Sequence, residues 1–263
     1  MRKWLWALAL LLLSALPCQA QLTGPGVVLN YAGYQPAGGA PYKTVSAAWT
    51  VTTPTYFGSN ADSNNYQWIG VGGWLTAGLI QTGTECQIGS VGGPTCECWY
   101  EYSNIVITAC TTGGPYPLVP ADSVTASMTC NSTCPLNTTQ NWTLSIHDLT
   151  AGWTWTQTFN TTTTGTNLDT CDIIFESAQP AGLAQWSGPA TFSNILCNGV
   201  NPLLSRADGN TLLMNNTTYG GTANVSTPAS TPSGANFNVC WGATNGVYTQ
   251  CNAPNYGSGH RKL

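Results

Sequence analysis

The sequence predicts an all-β protein, a sandwich of two antiparallel sheets forming a single domain, and three observations carry that expectation. Short segments rich in Val, Ile, Thr and aromatic residues recur along the chain, broken by Gly, Pro and Asn. Several alternate with period two, as Trp142, Leu144 and Ile146 do, which sets one face on a core and the other toward water or a cleft. No stretch holds helical periodicity with caps for long.

Taken in chain order, residues 1–20 read as a secretion signal. Arg2 and Lys3 supply charge, Leu8 to Leu13 an apolar run, and Cys18-Gln19-Ala20 a small-residue cleavage site. The apolar run is too short to span a bilayer and no later one is long enough, so no membrane segment is expected. Pro17 argues against lipid modification of Cys18. The mature chain then begins near Gln21 and is expected outside the cell. Strands are expected at Ala47–Val51, Tyr66–Val71, Ala77–Thr82, Trp99–Thr108, Ser123–Thr129, Trp142–His147, Trp153–Phe159, Asp172–Ser177, Ala190–Ile195 and Phe237–Trp241. Residues 198–235, where Asn, Thr, Gly, Pro and Ser prevail around Leu212–Met214, read as an irregular excursion, and 252–263 as a loosely ordered tail. No charged or low-complexity linker interrupts the chain before residue 200, so 21–251 is expected to be one domain.

Without Cys18 the cysteines form an even set: Cys86, Cys96, Cys98, Cys110, Cys130, Cys134, Cys171, Cys197, Cys240 and Cys251. In a secreted chain that predicts disulfides, of unspecified connectivity. Zinc at Cys96 and Cys98 is disfavoured because the usual two-residue gap and a nearby His are missing. Sequons at Asn131, Asn137, Asn141, Asn160, Asn215, Asn216 and Asn224 are glycan acceptors if the host is eukaryotic, although a Thr- and Asn-rich composition makes such triplets by chance.

Charge narrows the function. The mature chain keeps Lys43, Arg206, Arg261 and Lys262 against 10 carboxylates, so the basic footprint of a nucleic-acid binder is absent. Few bases also mean little cation repulsion when carboxylates are protonated, which suits acid. A serine triad would need His147, with no Gly-x-Ser-x-Gly elbow to accompany it. A catalytic cysteine would need a free thiol among expected disulfide partners. No His/carboxylate cluster suggests a metal and no glycine-rich turn a nucleotide, so no cofactor is expected. Carboxylates on strands remain: Glu97 and Glu101 share one face of their segment with Trp99, and Asp172 and Glu176 share one with Ile174. The alternative for all four is a solvated outer face; beside aromatics, they build an acid/base cleft.

At these residues the chain resembles the glutamic peptidases, the eqolisin family. Asn30-Tyr31-Ala32-Gly33-Tyr34 resembles the family's opening Asn-Trp-Ala-Gly, and Ala48-Trp49-Thr50-Val51 its next strand. Trp68-Ile69-Gly70-Val71-Gly72-Gly73 is similar to Trp-Val-Gly-Ile-Asp-Gly, and Leu79-Ile80-Gln81-Thr82-Gly83 to Leu-Gln-Thr-Gly. Trp99-Tyr100-Glu101 matches Trp-Tyr-Glu, and Asp172-Ile173-Ile174-Phe175-Glu176 aligns with Glu-Trp-Ile-Val-Glu. Thr191-Phe192-Ser193-Asn194 and Phe237-Asn238-Val239-Cys240-Trp241 fit the closing strands. The resemblance implies an acid endopeptidase acting on protein or peptide substrates, and a monomer is expected. It makes Gln81 and Glu176 the catalytic pair, with Trp68, Glu97, Glu101 and Asp172 lining the substrate site. Two departures accompany it: Gly72 stands where the family has aspartate, and Asp172 where it has glutamate.

Two other readings compete. The sandwich could bind glycans or cell-wall polymer through Trp153 and Trp155 as stacking platforms. A retaining glycosidase would need carboxyls about 5 Å apart. Glu97 and Glu101, four residues apart on one strand, are separated by about 13 Å of Cα rise and cannot be that pair alone.

Overall fold

In a computed structural model, residues 26–28, 31–36, 41–55, 63–72, 79–89, 92–102, 105–135, 138–162, 168–176, 185–186, 189–204, 211–216, 221–225 and 235–243 are described. The signal segment and the tail lie outside them. The chain forms two antiparallel sheets packed face to face, as the alternation predicts. Strand β1 (Gly26–Val28) lies parallel to a later strand, and β2 (Tyr31–Tyr34) is the inner edge of the first sheet. The second sheet begins with β3 (Thr44–Thr50); β4 (Pro54–Thr55) stands apart from both. The first sheet continues through β5 (Ser63–Val71), β6 (Ile80–Ile88), β7 (Thr95–Tyr102) and β8 (Ile105–Ala109). A meander of β9 (Ser123–Cys130), β10 (Thr139–Asp148) and β11 (Thr154–Thr162) extends the second sheet. The chain then returns to insert β12 (Cys171–Glu176) between β2 and β5, and β13 (Gln185–Trp186) pairs with β4. Next, β14 (Ala190–Cys197) pairs with β3.

The interval expected to be irregular instead holds β15 (Thr211–Asn216) and β16 (Gly221–Val225), followed by β17 (Phe237–Ala243). Path β17-β16-β15-β2 joins the two sheets along one side. The Asn- and Thr-rich composition reads as loop locally, but free edges of β2 and β17 supply the ladder partners, and distant pairing overrides local preference. The expected strand over 99–108 is likewise two strands, β7 and β8, paired as a hairpin.

Inward-facing residues meet between the sheets. In β9 and β10 buried and less buried residues alternate, and Val124, Ala126, Met128, Trp142, Leu144 and Ile146 all face inward. Across the interface Tyr100 stacks on Trp155 with ring centroids 5.1 Å apart, Tyr102 stacks on Phe159 at 3.7 Å, and the Trp49 indole N–H donates to Thr84 Oγ1 at 2.9 Å. Trp155 is 0% exposed. It belongs to the core, and Trp153 gives its indole N–H to the Pro117 carbonyl, so the stacking platform proposed for glycans does not form. Disulfides join Cys86 to Cys96, Cys98 to Cys110, Cys130 to Cys134 and Cys171 to Cys197. The last ties β12 of the first sheet to β14 of the second, and closing its loop contributes about 3 kcal/mol. Cys251 lies outside the described residues, and of Cys240 only the backbone is described.

Candidate active site

Directly opposed residues on neighbouring strands point to the same side of a sheet, so register sorts the outer face of the first sheet into rows. One row runs Asp172 (β12), Gly70 (β5), Gln81 (β6), Glu101 (β7). The next is Ile174, Trp68, Gly83, Trp99, and the third Glu176, Tyr66, Glu85, Glu97. All six residues singled out from the sequence therefore share one face. Their chain neighbours, such as Ile69 and Ile173, point the other way, into the core.

Trp68 links the outer rows. Its indole N–H donates to Glu176 Oε2 at 3.2 Å, while Cζ3 of its six-membered ring would lie 3.1 Å from a Cβ on Gly70, the strand partner of Gln81. The ring thus extends from the Glu176 row to the Gln81 row. Gly83 makes this position accessible: a Cβ there would sit 2.6 Å from Trp68 Cβ and closer still to the Gln67 carbonyl, so any side chain would push the indole off the sheet.

Gln81 is 7% exposed and its amide Nε2 donates to Glu101 Oε2 at 2.6 Å, a short bond to a carboxylate. That contact fixes which end of the amide faces β7. Among the described residues its buried Oε1 has no hydrogen-bond donor, and the buried indole N–H of neighbouring Trp99 has no acceptor.

Asp172 differs from what its position suggested. It is fully buried beside Thr170, whose hydroxyl donates to Oδ2 at 3.4 Å, and among the described residues Oδ1 has no donor. Burial, with Asp169's charge, pushes its carboxyl up to about 7 against the opposing hydrogen bonds of Gln35 and Thr170. In acid it is a neutral group under the surface. Glu97 lies on the exposed rim. Gly72, at the end of β5, has φ of 92°, a conformation that disfavours any side chain.

The sequence reading missed Glu85 and Tyr66. Glu85 accepts from Asn64 Nδ2 at 2.8 Å, and burial followed by the charge of Glu97 raises its pKa. Burial likewise raises the Tyr66 phenol, with further contributions from Glu85 and Glu176. Even spacing from Gln81 and Trp68 is the signal that could have found them: both sit on the predicted catalytic face.

With this geometry in place, the relatives can be compared. The Peptidase A4 family matches residues 29–241, most of the chain. The chain belongs to that family. It is a glutamic-type peptidase, a hydrolase. Its fold is similar to that of scytalido-glutamic peptidase solved with a transition state analog inhibitor, at 20% identity and TM-score 0.59 over 80% of this chain and 97% of that one. It is also similar to SCP-B, a member of the eqolisin family solved with the tripeptide Ala-Ile-His, at 19% identity and TM-score 0.53 over 80% and 97% of the two chains. At these identities the likeness speaks to fold. No curated protein sequence matches the chain.

Proposed function

We propose that this A4-family peptidase is a secreted acid endopeptidase in which Glu176 and Gln81 act as a pair on protein or peptide substrates. The observation that carries the reading is Trp68, which donates to Glu176 and reaches toward Gln81 across one sheet face. The Glu176 carboxylate takes a proton from the water attacking the scissile carbonyl, then returns it to the departing amine. A carboxylate performs both steps in acid, where a histidine base would be protonated. Gln81 cannot titrate. With one amide N–H held by Glu101, the other faces the oxyanion that develops on the carbonyl, and its stabilisation is independent of pH. Trp68 orients Glu176, Glu101 orients Gln81, and Glu97 borders the substrate on the rim.

Residues 1–20 act as the export signal and 21–251 as the catalytic unit, so the extracellular protein starts near Gln21; N-terminal sequencing of secreted protein checks this. Cleavage of a denatured protein across pH 2 to 7 by wild type, Gln81→Ala and Glu176→Gln tests the chemistry. Both variants are expected to be nearly inactive, with cleavage by wild type confined to acid. Equal cleavage by all three would remove the pair from the mechanism.

A further inference from the structure

The sheet opposite the active site carries an acid pair that the proposed chemistry does not use. Asp148 closes β10 opposite Val124, and Asp122 stands two residues before Val124, so the carboxyls are diagonal neighbours on the inward face. Asp148 is 0% exposed and Asp122 3%. One oxygen of each is committed. Asp148 Oδ1 accepts the amides of Thr150 at 2.8 Å and Ala151 at 2.9 Å, and Asp122 Oδ2 accepts the Val119 amide at 2.7 Å. Among the described residues the buried Asp148 Oδ2 has no amide or hydroxyl donor, and the Asp122 side chain is hydrogen-bonded to that of Asp148. Two acids make a hydrogen bond only when one keeps its proton.

Among the described residues the surroundings offer no counter-charge. Lys43, the one Lys or Arg among the described residues, precedes β3 at the end that pairs with Thr129, whereas the acids sit at the Thr50–Ser123 end. His147 on β10 alternates to the outer face. Tyr116 packs on Trp153 and donates its hydroxyl to the Thr112 carbonyl. From the facing sheet, Tyr100 and Tyr102 stack on Trp155 and Phe159. The acids meet where three segments are tied: Val51 N–H to the Asp122 carbonyl at 2.8 Å, Leu149 N–H to the Ser123 carbonyl at 2.7 Å, and Asp148 N–H to the Trp153 carbonyl at 3.0 Å.

We propose that the Asp122 carboxyl keeps a proton and donates it to Asp148, clamping the corner of β9, β10 and the Val51 segment, and that loss of this proton as pH rises opens the corner. Burial, followed by the charge of and hydrogen bond to Asp148, raises the pKa of Asp122 against the opposing Val119 amide. The folded chain therefore binds the proton more tightly than the unfolded chain. The stabilisation is fully present below the ordinary carboxylate range and is lost as pH climbs through the raised folded value. This corner would thus be strongest in acid and loosen as pH rises past the raised carboxyl value, at a point remote from the catalytic face.

Thermal unfolding of wild type and Asp122→Asn at pH 4 and pH 8 tests this. The substituted amide accepts from Val119 through Oδ1 and donates to Asp148 through Nδ2 at every pH, so the variant should lose measurably less Tm than wild type between the two conditions. Asp172 contributes equally to both proteins, so the difference reports the pair. Parallel losses overturn the proposal. Wild-type hydrogen exchange decides even if that variant does not fold. Relative to Leu144 in the middle of β10, the amides of Thr150 and Ala151 should lose at least tenfold protection between pH 4 and pH 8 after correction for intrinsic rates. Unchanged relative protection overturns it.

Discussion

The outer faces of the two sheets are built from the same alternating strands to opposite ends. On the second sheet, hydroxyl and amide side chains satisfy one another in cross-strand ladders: Thr143 with Thr158 at 2.9 Å, Ser145 with Thr156 at 3.2 Å, Asn131 to Asn141 at 2.7 Å and Asn141 to Asn160 at 2.8 Å. On the first sheet the outward rows carry carboxylates and indoles, much of them buried, and among the described residues Gln81 Oε1 and Trp99 Nε1 have no partner. A self-satisfied ladder adds a few tenths of a kcal/mol per pair. An unpartnered buried polar group costs about 1–3 kcal/mol until a ligand supplies the partner. One face is spent on stability and the other holds binding capacity.

Mutations can break this contrast, and the largest effect is expected at Glu176. Glu176→Gln should lower kcat/KM on a peptide substrate by about a thousandfold or more, since proton transfer is lost at both steps, with Tm little changed. Retained activity would place the base elsewhere. Gln81→Ala should cost about a hundredfold or more in kcat, the size of a lost oxyanion donor. Glu101→Gln, which weakens the bond that orients Gln81, should cost about tenfold, equivalent to ~1.4 kcal/mol; a loss as large as that of Gln81→Ala would give Glu101 a direct role.

The buried acid beneath the catalytic face predicts a stability effect in place of a kinetic one. With its folded pKa raised to about 7, Asp172 stabilises the fold fully below the ordinary aspartate value, and that contribution disappears as pH rises through about 7. Wild-type Tm should fall over that window, and Asp172→Asn should flatten the fall; a steeper fall in the variant would contradict a neutral Asp172. At the small end, the Thr143→Ala, Thr158→Ala double variant on the opposite face should lower stability by about 0.5 kcal/mol by denaturant titration and leave kcat/KM at the wild-type value. A drop in activity there would erase the division between the faces.

Much of the fold was legible because burial on one side of a strand writes a period of two into the chain. Trp142, Leu144 and Ile146 display it, and β9, β10 and β14 fall close to where it placed them. The boundary between β7 and β8 was marked by Ser103-Asn104, a turn signal outweighed by the β-formers on either side of it. Strands β15 and β16 were hidden because they are sustained by edges far away in the chain. Within the site, strand parity put Asp172 with Glu176 and Glu97 with Glu101. It could not rank them by depth, and the structure buries Asp172 while leaving Glu97 on the rim. Glu85 and Tyr66 carried the same parity and went unnoticed because no motif marked them.

By itself the sequence determined the class of fold, the face each catalytic candidate would share with its strand neighbours, the shortage of bases, and the family to which its ordered motifs belong. These are local or additive properties: alternation, charge and short patterns exist before the chain folds. Tertiary structure alone decided that Trp68 joins Glu176 to the Gln81 row, that Glu101 holds Gln81, that Trp155 belongs to the core, and that Asp122 meets Asp148. Each of these depends on register between segments tens of residues apart, and register is set by which faces are buried together once both sheets close on their core.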